Sequence, residues 1–93
     1  MHVATLRVEL IIPGSCSLKD KRKVVRSALD RTRHRFRVAA AEVDAQDTHN
    51  LAVLGFAAVS NDARHAAGVL EKVLEFLRNS PHALVGDHDL EVD

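Results

Sequence analysis

An α+β domain with the element order βαββαβ is the fold class this sequence predicts, and three observations predict it. Three segments alternate apolar and polar residues with the period of two that a half-buried strand requires. A fourth, Leu51 to Val59, is apolar throughout, as expected of a central strand covered or partnered on both faces. Between them, two segments repeat their apolar residues at helical spacing, each behind residues suited to cap a helix.

The elements follow in order. Ala4, Leu6, Val8, Leu10 and Ile12 alternate with Thr5, Arg7, Glu9 and Ile11, and Pro13-Gly14 ends that strand. Ser17 followed by Asp20 has the spacing of a capping box, so a helix opens there. Leu18, Val25, Leu29, Thr32 and Phe36 form its apolar face. In the second strand Ala39, Ala41 and Val43 face one way and Ala40, Glu42 and Asp44 the other. Gln46 to Asn50 reads as a hairpin loop before the apolar third strand. Ser60-Asn61-Asp62 supplies the next N-cap, with Asn61 the expected capping residue. Ala63, Ala66, Ala67, Leu70, Val73, Leu74 and Leu77 make the stripe of the second helix, which Ser80-Pro81 closes. Leu84, His88, Leu90 and Val92 then alternate with Asp87, Asp89, Glu91 and Asp93.

Two βαβ-type units with right-handed crossovers give a four-stranded antiparallel sheet with both helices on one face, in strand order 4-1-3-2. That is a ferredoxin-like sandwich, and residues 1–93 form a single such domain. With 46% hydrophobic and 28% charged residues the chain is of globular rather than disordered composition. Its core must be aliphatic, because Phe36, Phe56 and Phe76 are the only aromatics. The longest apolar run is about half of what a bilayer helix needs, so no membrane association is expected. Arg7 and Glu9 interrupt the opening apolar stretch, which argues against a signal peptide, and the lone Cys16 excludes an internal disulfide. A reducing, cytoplasmic location is the expectation.

The formal net charge of zero hides a segregation. From Lys19 to Arg37 nine basic residues face two acids, a net of +7, whereas Val38 to Asp93 carries a net of −7. Such asymmetry implies a polyanion-binding surface or the association of opposite faces. At about 100° per residue, Lys19, Arg22, Lys23, Arg26 and Arg33 fall in one sector of the first helix, broken only by Asp30. Phosphates need cations presented together on a rigid element, and the free N–H groups of a helix start would add to them. A merely solvated face is the alternative reading.

Other constellations carry less. Glu42 and Asp44 share a strand face in this reading, as do Asp87, Asp89 and Glu91, but the two groups fall at opposite sheet edges and read as solvated edge charges. The six histidines have no zinc-binding spacing, and no motif implies a metal or cofactor. Cys16, beside a helix start and near Lys19, could form a reactive thiolate but has no histidine nearby in sequence. Val69 and Phe76 flank the second helix's stripe and widen its core contact. If helices cover one sheet face only, either Leu51, Val53, Ala57 and Val59 or Leu54, Phe56 and Ala58 lie exposed, and a homodimer through that open face becomes a candidate.

Several of these residues, Pro13-Gly14, Ser17-Leu18-Lys19-Asp20-Lys21-Arg22, Ala41-Glu42-Val43-Asp44 with Gln46-Asp47, Leu54-Gly55 and Val59-Ser60-Asn61-Asp62, form a pattern that resembles the YlxP-like family of small bacterial proteins of unknown function. The resemblance extends over essentially the whole chain and implies a ferredoxin-like fold. Genes of that family often stand among those for transcription elongation, translation initiation and ribosome maturation, which implies a ribosome-linked role. The family has no recognised catalytic residues, so none carries over. His49 stands where the family pattern would have a large aromatic, so a base-stacking role for that loop does not carry over either.

The leading expectation is a non-enzymatic RNA- or ribosome-associated accessory protein, with the small ribosomal subunit as a candidate partner, which meets phosphates through Lys19, Arg22, Lys23, Arg26 and Arg33. The alternative is a structural or regulatory homodimerisation module. Base stacking on the sheet, as in RRM readers, is not expected, since Phe56 is the only strand aromatic. Acylphosphatase chemistry is not expected either, because the glycine-rich loop ending in phenylalanine-arginine is absent after the first strand.

Overall fold

The strict alternation of the first strand gives it one buried face, and it is one of the two central strands of the sheet. In the computed structural model, which describes residues 1–93, β1 (His2–Ile11) pairs antiparallel with β3 (Leu51–Ser60) on one side and β4 (Leu84–Val92) on the other. β2 (Ala39–Asp44) pairs with β3, so the order is β2-β3-β1-β4 and the second and fourth strands are the edges, as expected. Two helices, α1 (Leu18–Phe36) and α2 (Ala63–Arg78), cover one face: α1 lies against β2 and β3, and α2 against β1, β3 and β4.

Leu6, Val8 and Leu10 of β1 stand opposite Phe56, Leu54 and Ala52 of β3, and all six are buried under the helices. α2 closes this layer with Ala66, Leu70, Val73, Leu74 and Leu77. Full burial of each such aliphatic side chain is worth about 1.5–3 kcal/mol, so this seam between β1, β3 and α2 is the main source of stability. The helices meet through Phe36 and Phe76, whose rings are edge-on with centroids 5.6 Å apart. Arg31 and Arg35 lie over the Phe76 ring at 5.0 and 5.3 Å, so two of the basic residues of α1 serve the helix–helix seam.

Local expectations fail at three places. The N-cap of α2 is Asp62, not Asn61: its Oδ1 accepts from the N–H groups of Arg64 and His65, and a carboxylate at the positive end of a helix dipole is favoured further. Glu42 and Asp44 do not share a face. An irregularity at Val43 lets Glu42 pair with Leu54 but Asp44 with Val53, so Glu42 points under α1 and Asp44 lies on the open face beside Arg7, at 3.8 Å. A similar shift in β4 sets His88 opposite Val8 but Val85 opposite Leu10. Leu84 therefore stands opposite Ile11 on the open face, 60% exposed, and Val85 takes the inward place expected of Leu84.

Leu51, Val53, Ala57 and Val59 are the outward residues of β3, which settles the phase of that strand. Val53 is nevertheless only 3% exposed, hemmed by the strands beside it, and stands outside the core cluster.

Gly68 sits inside α2 with nothing within 4 Å of the place a Cβ would take. Gly68→Ala should therefore stabilise the domain by about 0.5–1 kcal/mol, since glycine loses the most backbone entropy in a helix. A denaturant titration checks this, and an unchanged or lower midpoint would refute it.

Candidate nucleic-acid interface

The candidate interface is the outer side of α1, and its placement begins with the cap. Ser17 Oγ accepts from the N–H of Asp20, while the Asp20 carboxylate reaches back to the N–H of Cys16. In a capping box a glutamate at this position would reach the cap residue itself; the shorter aspartate meets the preceding N–H instead. The start of α1 thus already holds an anion of its own. The N–H groups of Leu18 and Lys19 remain without a partner, but the Asp20 carboxylate beside them opposes a second anion and lessens what the helix start adds to phosphate binding.

The rotation of α1 about its axis is set by Lys21. Its side chain is 1% exposed, and Nζ donates to the carbonyls of Ala45, Thr48 and Leu51 at 2.6, 2.7 and 3.0 Å. An ammonium has three N–H groups, so these three acceptors satisfy it and the Gln46 carbonyl at 3.4 Å is a weaker neighbour. Glu42 Oε2 lies 2.9 Å from Nζ but receives no well-directed hydrogen bond, so the carboxylate acts there as a counter-ion. All three bonded carbonyls belong to the β2–β3 connection or its end. Ala45, the first, has φ of 59°, a left-handed conformation costly for a residue with a Cβ, and Asp44 Oδ1 accepts its N–H at 2.8 Å.

With Lys21, Val25, Leu29 and Thr32 turned inward, the predicted cations turn outward. Lys19, Arg22, Lys23 and Arg26 are exposed and have no ion-pair or hydrogen-bond partner within the chain for their side chains. Arg22 and Arg26 join Arg33 along a shallow groove of about 390 Å³ between α1 and β2, floored by Val25 and Leu29 and bordered by Asp30 and Glu42. Arg33 is engaged already: its guanidinium donates to the Ala40 carbonyl of edge strand β2 and to Asp30 at 3.2 Å. Arg37, in the left-handed conformation that ends the helix, adds an exposed cation beyond it. The structure thus brings all five predicted residues to one side of α1, with four of them free and Arg33 tied to the strand beneath.

The opposite face of the sheet has the opposite character. A depression of about 590 Å³ is lined by the small residues Ala39, Ala41, Gly55 and Ala57, with Arg7, Asp89 and Glu91 around it. Glu9 and Asp44 belong to the same face, so four acids surround one arginine. A Cβ on Gly55 would come within 2.9 Å of Val43 Cγ1, so glycine there lets Val43 settle against the strand. β2 and β4 are opposite edge strands, as expected, yet Asp44 of one and Asp89 of the other both stand beside Arg7, a convergence that the strand order alone argues against. Cys16 and His49 are both exposed.

The matching family model, described as a protein of unknown function, DUF503, spans residues 3–90. The chain belongs to that family. A DUF503 chain such as this is also 37% identical over 73 residues, 78% of its own length and 79% of the relative's, to the uncharacterized protein YlxP of Bacillus subtilis (strain 168). The YlxP-like resemblance read from the Ser17–Arg22 motif is thereby established. Among solved structures, a de novo designed protein with a ferredoxin fold, determined by solution NMR, matches with a TM-score of 0.60 over 98% of this chain and 86% of that one. At 13% identity that likeness concerns the fold alone.

Lys21 is the site residue that reading the sequence for exposed cations misses. Its signal is the gap of seven between Leu18 and Val25 in the apolar stripe of this DUF503 chain, where the intervening inward position is a lysine. Lys21→Met keeps the length of the side chain but leaves Glu42 and three carbonyls without their cation. It should destabilise the protein by about 3–5 kcal/mol. Glu42→Gln should cost only about 1 kcal/mol, because the carbonyls still hold the ammonium. Denaturant unfolding of the two variants tests this, and equal losses would show that the ion pair, not the carbonyl cage, is what matters.

Proposed function

We propose that this protein is a non-enzymatic, RNA- or ribosome-associated accessory protein that meets RNA phosphates with the outer side of α1. The observation that carries this reading is the group of unpaired, exposed cations Lys19, Arg22, Lys23 and Arg26 on one rigid helix, beside Arg33 and away from the acidic sheet face. Surface cations that serve folding usually find carboxylates or rings, as Arg31, Arg35 and Arg78 do here. Four that find none on one element repel one another in the free protein and gain most from a polyanion. The implied setting among ribosome-maturation genes makes the small ribosomal subunit the candidate partner.

Binding of this kind tolerates sequence and weakens steeply with salt. If about three phosphates are neutralised, the log–log salt slope should be near −2 for single strands and about −2.7 for a duplex, taking the B-DNA coefficient. The triple variant Arg22→Gln, Lys23→Gln, Arg26→Gln should flatten the slope and weaken binding to unrelated RNAs about equally, with stability changed by under about 0.5 kcal/mol per site. Co-sedimentation with small ribosomal subunits over a salt series reads both quantities. Wild-type binding by the triple variant would leave α1 a solvated face.

The second reading, a homodimerisation module, is favoured by one observation: Ile11, Val43, Val59 and Leu84, all on the open sheet face, are 43–65% exposed. Two such faces would bring like acids together, so a dimer of this kind should tighten as salt rises, opposite in sign to RNA binding. Ile11→Lys with Leu84→Lys should give a smaller species in sedimentation velocity; an unchanged coefficient at every salt concentration removes this reading. Val53 is a poor probe because it is buried.

A further inference from the structure

We infer that the RNA this chain takes is double-stranded, held by its sugar–phosphate backbone along α1, and not a single strand. The inference rests on the preceding reading that α1 binds RNA and adds the form of that RNA.

Single strands are bound by proteins that supply two things, a charged track for the backbone and aromatic faces on which bases stack. Here the second is poor, since the one exposed ring on α1 is that of His34. Phe56 is 3% exposed and faces the helices, and Phe36 and Phe76 pack on each other beneath Arg31 and Arg35. The chain has no tryptophan or tyrosine, and the exposed β2–β3 loop carries His49 as its only ring. The sheet surface, where a ferredoxin-like fold can spread unpaired bases, is closed to them by charge: Glu9, Asp44, Asp89 and Glu91 surround Arg7. An unstacked strand would have to be ordered at full entropic cost by phosphate contacts alone.

What the chain does supply suits a ligand whose phosphates are already in place. Lys19, Lys23, Arg26, Arg33 and Arg37 follow one another at intervals of three, four or seven, with Arg22 alongside. Neighbours at three or four residues stand about 5–6 Å apart, and Lys19 to Arg33 covers roughly 21 Å of helix. The Lys21 cage prevents this line from rolling about the helix axis. Cations on a rigid helix meeting a rigid duplex cost no backbone ordering on either side, and a duplex presents about twice the charge per unit length of one strand. Recognition of double-stranded RNA by shape and backbone requires no aromatic at all.

The test uses the full chain and fluorescence anisotropy with a duplex of about 20 base pairs, longer than the ~16 that a compact double-stranded RNA module spans. Each component strand, chosen to lack self-structure, is titrated separately, and vesicles of phosphatidylcholine with phosphatidylserine are a further probe. At about 0.1 M salt, where the Debye length is about 10 Å, the duplex should bind at least about tenfold more tightly than either strand. Arg22→Gln with Arg26→Gln should reduce that advantage. A strand that binds as tightly as the duplex overturns this inference and leaves the RNA reading standing. No binding to either RNA, with or without binding to the vesicles, overturns both.

Discussion

The buried ammonium of Lys21 is the interaction on which the rest of the arrangement depends. Moving an ammonium out of water costs several kcal/mol unless good acceptors replace the water. The β2–β3 connection provides them, because a chain that leaves one strand and enters the next has carbonyls that no ladder satisfies. Each side of this contact answers a deficit of the other: the lysine lacks water, the carbonyls of Thr48 and Leu51 have no other donor, and that of Ala45 has only the N–H of Thr48. A leucine in place of Lys21 would fill the same space under α1 yet leave the carbonyls of Thr48 and Leu51 unpaired and that of Ala45 with the Thr48 N–H alone. The cage also joins parts far apart in sequence, so it fixes which side of α1 faces the sheet and which faces out.

That rotation turns a charge asymmetry in the sequence into one in space. α1 carries its cations on the outer side of the helical layer, and the acids Glu9, Asp44, Asp89 and Glu91 lie on the far side of the sheet. A net charge of zero thus belongs to a molecule with two faces of opposite sign, which orients it in the field of a polyanion before contact. The exposed edges of the sheet are managed by the same charges. Arg33 covers a carbonyl of β2, and β4 carries Asp87, Asp89 and Glu91, so neither edge is a bare template for another strand.

Most of the fold was legible because strand and helix periods are properties of the sequence itself. Ala4 to Leu10 and Ala66 to Leu77 are buried as their spacing requires. The errors in strand phase, at Asp44 and Leu84, have one physical cause. Side-chain direction in a strand depends on parity, and an irregularity in the pairing reverses the direction of everything beyond it. Such shifts arise from how two strands fit, so neither strand's pattern announces them. The α2 cap was ambiguous for a different reason: Asn61 and Asp62 are both good caps, and the choice depends on which one reaches the N–H groups of Arg64 and His65. The cations of α1 were placed correctly as a sector, but the sequence could not say which are free. Arg33 finds its carbonyl, and Arg31 and Arg35 their ring, only once β2 and α2 are folded beside them.

Asp20 and Lys21, adjacent in sequence, together restrict how α1 can meet a ligand. Asp20 places its own carboxylate at the helix start, so a phosphate approaching end-on would meet a like charge beside the N–H groups there. Lys21 removes one cation from the surface altogether and prevents the helix from turning to present another side. What remains is a lateral approach, along Lys19, Arg22, Lys23 and Arg26. The helix backbone there is fixed while each side chain keeps several rotatable bonds, a combination that would accept small variations in phosphate position. On the proposed reading the direction of approach would therefore be a consequence of where the two neighbouring residues point, one out at the cap and one in toward the loop.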